Sequence, residues 1–187
     1  MERIGHETQA LILVLALQSA WLLGTVAVQE HALATGRVIL LETARIDPRD
    51  LLQGDYLILN YKISDVPANL FSPPVTKDLP HDTKIYVALA PATNQFYAVV
   101  KASTNEFVPS ADEILLKGRS TWPRWNAATN SIHIEYGLER FYVAEGTGNP
   151  TGKLTAQVVV PASGRGRVKE VFVDGKPYAE AMQNTVR

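Results

Sequence analysis

Hydrophobic and polar positions follow two different patterns along this chain of 187 residues. Between Ala10 and Val28 there is no charged residue, and apolar side chains are interrupted only by Gln18, Ser19, Gly24 and Thr25. A helix that crosses a bilayer needs about 20 mainly apolar residues, whereas a buried helix of a globular domain rarely needs so unbroken a run. We therefore predict a short tail at 1–8 and a transmembrane helix at 9–31, with membrane lipid as the helix's partner.

A cleaved secretory signal is the alternative, because Ala32-Leu33-Ala34 offers a small-x-small cleavage site. The segment 1–7 carries one Arg against two Glu, and the apolar run exceeds the usual signal core of about 7 to 15 residues. Both features favour a retained anchor. Basic residues flank the helix on both sides and do not orient it, so we expect the default for a single N-terminal anchor, a domain in the periplasm or elsewhere outside the cytoplasm.

Beyond the helix the pattern changes to short segments rich in β-branched and aromatic residues, which predict strands. The Asp174-Gly175 pair is a strong hairpin signal. We predict one mainly β, mostly antiparallel domain over 36–178, either a sandwich or a partly open barrel, with a long irregular loop at 66–80 and a frayed tail at 179–187. The predicted strands are 37–44, 55–63, 84–89, 95–102, 113–119, 131–136, 138–144, 153–160 and 167–173.

Composition narrows the possible chemistry. The chain has no cysteine, a net charge of -1 and a pI near 6.4, which exclude disulfides and thiolate metal sites and favour no nucleic-acid partner. Its four histidines lack metal-ligand spacing, so we predict no metal site, no cofactor and no catalytic residue from known motifs. The basic cluster at 164–167 is interpreted as a solvated hairpin turn.

The octapeptide at 54–61 is the most informative motif. Asp47 can cap a helical turn that starts at Pro48, and Gly54 suits the closing left-handed position. Side chains alternate along the following strand, and apolar groups fall on both of its faces, which predicts a central strand covered on both sides. The residues are Gly54, Asp55, Tyr56, Leu57, Ile58, Leu59, Asn60 and Tyr61.

This octapeptide resembles in full the motif after which the bacterial GDYXXLXY family is named. The segments 135–146 and 171–175 are also similar to that family, so the resemblance covers most of the chain. It implies a membrane-anchored β domain at 36–178 without an established biochemical activity. It also implies neighbouring multi-pass membrane proteins as partners.

Two surfaces are candidate binding sites. The first consists of the motif residues with a basic partner for Asp55, namely Gly54, Asp55, Tyr56, Leu59, Tyr61 and Arg140. The second is a proline-bent loop at 122–125, where Trp122 and Trp125 flank an arginine and could anchor a partner. The alternative for both is structural: the motif would be a folding element, and the indoles would cap the β core.

We therefore expect a non-catalytic accessory module of an integral membrane assembly. An enzyme with a site at Asp55, Glu139, Arg140 and Glu145 is one alternative, and a ligand-binding open barrel is another. Signal peptidases also place Gly-Asp after an N-terminal helix, but 44–48 supplies no serine nucleophile here. The glycine-rich segment 146–153 lacks the spacing of a phosphate loop.

Overall fold

A computed structural model describes residues 6–44, 56–75, 79–126, 129–143, 150 and 152–183 of the chain. The backbone of 122–125 is included in this description, but the side chains there are not. The chain divides into two compact units, Met1–Thr35 and Gly36–Arg187, and each is described by itself.

The first unit is a single helix, α1, which spans His6–Thr35 and so extends beyond the predicted 9–31 at both ends. Its segment Thr8–Thr35 is long and apolar enough to cross a membrane, with a mean hydropathy of 2.2 and exposed apolar side chains on all sides. The hydroxyls of Thr25 and Thr35 donate to helix carbonyl oxygens at 2.7 and 2.8 Å, so the helix satisfies them internally. These properties fit a single-pass membrane helix, and an N-terminal signal sequence shares them.

The second unit is built from strands, one short α-helix and two 3₁₀ turns, Lys62–Ser64 and Ala68–Leu70. In chain order the described elements are β1 (Arg37–Glu42), β2 (Tyr56–Ile58), β3 (Asp65–Pro67), β4 (Lys84–Pro91), β5 (Tyr97–Ser103), β6 (Ile114–Asn126), β7 (Ser131–Glu135), β8 (Arg140–Tyr142), β9 (Leu154–Val160), β10 (Arg167–Val173), β11 (Lys176–Pro177) and α2 (Tyr178–Gln183). Each of the nine predicted segments overlaps one of these strands.

The strands form three sheets with antiparallel ladders. Their orders are β1-β9-β10-β11, β2-β8 and β3-β7-β6-β4-β5. Inward-facing side chains of all three sheets meet in one hydrophobic cluster, which includes Leu41, Leu57, Leu89, Leu116 and Val158. The prediction of a mainly β, mostly antiparallel domain after an apolar helix is thus confirmed, and in the described residues the sheets pack around a common core.

The turn before β11 follows the predicted hairpin chemistry. Asp174 and Gly175 both have positive φ angles, 48° and 82°, as a two-residue type I′ turn requires. The flanking residues Val173 and Lys176 are paired in the ladder. The local sequence therefore determines this corner.

Two segments predicted to be irregular contain regular structure in part. The segment 66–80 contains the end of β3, a 3₁₀ turn at Ala68–Leu70, and a bridge between Phe71 and Ala102. The C-terminal segment from 179 does not begin as a frayed tail, because α2 extends to Gln183. Tyr178 and Met182 lie in the core, and their burial stabilises this short helix.

A carboxylate at the end of β1 joins two other parts of the domain. Glu42 has 13 % of its side chain exposed and contacts the ammonium groups of Lys153 at 2.5 Å and Lys62 at 2.8 Å. The hydrogen bonds from Lys153 and from Lys62 lower the pKa of Glu42 below its usual range, although partial burial opposes them. Glu42 thus links β1 to the segment after β2 and to the start of β9.

We predict that Glu42→Gln lowers the free energy of unfolding at pH 7 by about 1 kcal/mol, because both lysines are more than half exposed and solvent weakens the ion pairs. The folded pKa of Glu42 lies below the unfolded value, so this contribution is present above about pH 4.3 and is lost as the pH falls through the folded pKa. Urea unfolding of the full chain in detergent measures the difference between the proteins at each pH.

Glu170→Gln on β10 is the matched control, since Glu170 has no ion pair within the described part of the chain. A difference between wild type and Glu42→Gln that stayed constant from pH 7 to pH 3 would contradict an ionic role for Glu42.

Candidate functional site

The octapeptide strand pairs with β8. Tyr56, Leu57 and Ile58 lie opposite Tyr142, Phe141 and Arg140 in an antiparallel ladder of three residue pairs. Leu57 is fully buried, whereas Tyr56 and Ile58 on the other face are half-buried. The prediction of a central strand covered on both sides is wrong, because β2 belongs to a two-stranded sheet with one face in the core.

The second half of the motif is sealed in the core by a reciprocal pair of hydrogen bonds. The Tyr61 hydroxyl donates to the Leu138 carbonyl oxygen at 2.8 Å, and the Tyr136 hydroxyl donates to the Ile63 carbonyl oxygen at 2.7 Å. Each tyrosine therefore satisfies a carbonyl group on the segment from which the other tyrosine comes. We call this arrangement the tyrosine latch; it joins residues 61–63 to residues 136–138.

The latch tyrosines act as neutral hydrogen-bond donors. Burial raises the pKa of Tyr61 far above its usual value, and the nearby charge of Glu139 raises it further. The same two causes, with a contribution from Asp65, raise the pKa of Tyr136. Neither phenol can lose its proton near neutral pH, so neither serves as a general base.

Glu139 also has structural contacts. Its carboxylate accepts the Tyr136 backbone N–H at 2.6 Å, and its carbonyl oxygen accepts the Leu59 N–H at 2.7 Å. Leu59 itself is fully buried. Two other members of the enzyme site considered from the sequence, Asp55 and Glu145, lie outside the described residues, and that site remains a prediction.

The outer face of the β2–β8 ribbon carries an exposed aromatic and cationic group. The rings of Tyr56 and Tyr142 have centroids 5.9 Å apart, and the Arg140 guanidinium carbon lies 5.5 Å from the Tyr56 ring centroid. Tyr142 is 72 % exposed although it lies on a strand. We call Tyr56, Arg140 and Tyr142 the ribbon patch; it has the residue types that anchor protein contacts.

The remaining predicted site residues are not brought into this patch within the described part of the chain. Gly54 and Asp55 lie outside the described residues. The prediction of a proline-bent loop for Trp122 and Trp125 is wrong, because the backbone of 122–125 belongs to β6. Trp125 is paired with Ile132 after a register shift, and whether the indoles bind a partner remains a prediction.

Two residues of the site were not recognised as such in the sequence. Tyr136 acquires its role from a hydrogen bond to a residue 73 positions away, which no local pattern indicates. Strand alternation would not have found Tyr142 either, because residues 138 and 142 fall on the same face of a regular strand, yet Leu138 is buried and Tyr142 is exposed.

The fold and the site define a class of protein: a β domain that follows a candidate membrane helix and displays an aromatic patch next to a sealed tyrosine motif. A family model described as GDYXXLXY protein matches residues 18–172, and the chain belongs to this family. A comparison with curated proteins and with solved structures gave no match.

We predict that Tyr61→Phe and Tyr136→Phe each lower the free energy of unfolding by about 1–3 kcal/mol, since each change leaves a buried carbonyl group without its donor. Urea unfolding of the full chain in detergent measures this effect, and the double variant measures the coupling between the two bonds. Tyr142→Phe is the control, because it removes a hydroxyl from an exposed ring. If Tyr61→Phe and Tyr136→Phe had the same free energy of unfolding as Tyr142→Phe, the latch would not stabilise the domain.

Proposed function

We propose that this GDYXXLXY protein is a single-pass, membrane-tethered β domain that acts as a non-catalytic interaction module of an integral membrane assembly. The helix is retained as an anchor, and the domain lies outside the cytoplasm. Membrane lipid is one partner, through residues 9–31. A multi-pass membrane protein that contacts the ribbon patch is the other.

The exposed apolar surface of α1 is the observation that carries this proposal. Leu13, Leu17, Trp21, Leu22 and Val28 are all at least 60 % exposed on a helix without charged side chains between Ala10 and Val28. Water is an unfavourable solvent for so much apolar surface, and a bilayer removes that cost. The small residues of the alternative cleavage site, 32–34, belong to the continuous helix, which supports retention because nicking concentrates in exposed irregular segments.

The chemistry of the two tyrosine environments supports a binding role over a catalytic one. Tyr61 is held in the core as a neutral donor, so the motif contributes rigidity through this residue. Tyr56 instead belongs to the outward-facing ribbon patch, where the paired strands fix the backbone and binding has only side chains to order. A contact of this kind adds affinity without any reaction.

We predict that Leu17→Arg combined with Leu22→Arg releases the protein from membranes. Each arginine near the middle of a spanning helix costs about 2.5–3.5 kcal/mol. The measurement is the fraction of chain that remains in the membrane pellet after extraction with alkaline carbonate. Leu17→Met combined with Leu22→Met is the control and should stay in the pellet like the wild type.

Intact mass of the pelleted wild-type chain distinguishes the anchor from the signal. A retained anchor gives the mass of the uncleaved chain, and cleavage after Ala34 gives a shorter product. Recovery of uncleaved wild-type chain in the aqueous fraction would contradict the membrane anchor.

We predict that a partner covers the ribbon patch in native membranes. The chain contains no cysteine, so single cysteines can be placed at Tyr142 and at Val108, which is 93 % exposed and lies outside the patch. With chromosomal expression, a membrane-impermeant maleimide should label Val108→Cys from outside the cytoplasmic membrane and label Tyr142→Cys several-fold more slowly. Detergent that dissociates the assembly should remove the difference.

A third variant, Arg140→Cys, places the cysteine at another position of the patch. It controls for the case in which replacing Tyr142 itself breaks the contact with the partner. Equal labelling of all three cysteines in native membranes would contradict a covered patch. Labelling of Val108→Cys only after the cytoplasmic membrane is permeabilised would place the domain on the opposite side.

A further inference from the structure

A second surface of the domain is a cleft of about 750 Å³. It lies between β6, the turn after β7 and the turn before β10, and its volume is in the range of small-ligand sites. Five cationic side chains line it together with three carboxylates: Lys84, Lys117, Arg119, Arg165 and Arg167, with Asp82, Glu135 and Glu139. Positive charge is therefore in excess although the whole chain has a net charge of -1.

The basic turn at 164–167 joins the paired strands β9 and β10 and keeps both arginines exposed, as predicted, but its backbone is also held against β6. The Lys117 N–H donates to the Gly164 carbonyl oxygen at 2.8 Å, and the Gly164 N–H donates to the Pro161 carbonyl oxygen at 2.9 Å. Gly164 has φ +77°, and a Cβ atom there would lie 3.2 Å from the Leu115 carbonyl oxygen. Glycine thus permits both the turn and its close approach to the strand.

The second glycine of the turn packs just as closely. A Cβ atom on Gly166 would lie 3.1 Å from methyl groups of both Leu116 and Val158. The turn is therefore fixed between β6 and β9, and Arg165 and Arg167 on it line the cleft. Their backbone positions are fixed before any ligand binds, which reduces the entropic cost of binding.

Ion pairs within the domain already neutralise part of the positive charge on Arg119 and Lys117. Asp82 contacts Arg119 at 2.5 Å, and Glu106 contacts Lys117 at 2.7 Å. The carboxylate of Glu139 accepts the Tyr136 N–H within the turn after β7. The two turn arginines line the same cleft as Lys117 and Arg119 of β6, whose side chains share one face of that strand.

We propose that this cleft binds a phosphate ester, with Arg165 and Arg167 as ligand-binding residues. Guanidinium groups bind phosphate oxygens in a bidentate manner, and a phosphate monoester carries about -1.5 to -2 charges at pH 7, which suits several cations better than a single carboxylate does. The ester belongs either to a soluble metabolite or to a lipid headgroup. The proposal is independent of the ribbon patch, because the two surfaces share no residue.

The test is calorimetric titration of the full chain in zwitterionic detergent with two probes that carry the same phosphomonoester. The probes are glycerol 3-phosphate and dihexanoyl phosphatidic acid, the latter corrected for its heat of mixing with protein-free micelles. We expect saturable binding of at least one probe, and a Kd at least about tenfold higher in the variant Arg165→Gln with Arg167→Gln. Lys169→Gln with Lys176→Gln, which removes the same charge from exposed positions of β10 and β11, should leave Kd within about twofold.

If glycerol 3-phosphate binds, a soluble phosphate ester is sufficient as the ligand. If only dihexanoyl phosphatidic acid binds, the ligand is a lipid headgroup. The absence of saturable binding by both probes would overturn the proposal. Equal weakening in the two double variants would also overturn it, because diffuse surface charge would then explain the binding. Unchanged urea unfolding of the Arg165→Gln, Arg167→Gln variant shows that the fold is retained.

Discussion

The tyrosine latch is the interaction on which the arrangement of the site depends. The β2–β8 ribbon contains three residue pairs, and so short a two-stranded ladder is not stable alone in water. A buried hydroxyl or carbonyl group without a partner is costly, so Tyr61 and Tyr136 exclude any shift of one segment past the other. The position of the ribbon patch on the surface follows from this buried register.

The latch divides the family motif into two parts with different physical roles. Leu59 and Tyr61 are almost completely buried, and their contacts explain them as folding residues. Tyr56 lies on the opposite face of the same strand, where its contacts with Arg140 and Tyr142 leave the group on the surface. Strand alternation is sufficient to produce this division, since residues 57, 59 and 61 face the core and residue 56 cannot.

Local sequence patterns predicted much of the fold. The predictions failed where contacts between residues far apart in the chain determine the structure. β-branched segments and the Asp174-Gly175 turn indicated the strands correctly. The α2 helix was missed because its stability comes from tertiary packing, including an edge-on contact of Tyr178 with Phe141 at 6.2 Å. Pro123 suggested a loop, but β6 continues through it where the register with β7 shifts, a place at which a strand tolerates proline. The partners of Tyr61 and Tyr136 could not be predicted, since they lie more than 70 residues away.

The distribution of charge on the surface could not be predicted from local sequence either. A net charge near zero gave no indication of a ligand, because composition averages over surfaces that the fold separates. The sequence of 164–167 indicated only a solvated hairpin turn, yet the glycines' lack of side chains also lets the backbone approach Leu115 and Val158, which fixes the turn. The fixed turn holds the backbone of Arg165 and Arg167 beside the cleft, while both side chains stay exposed to solvent. They contribute to one cleft, and the excess of cations there is a property of the packed sheets that the sequence pattern alone does not contain.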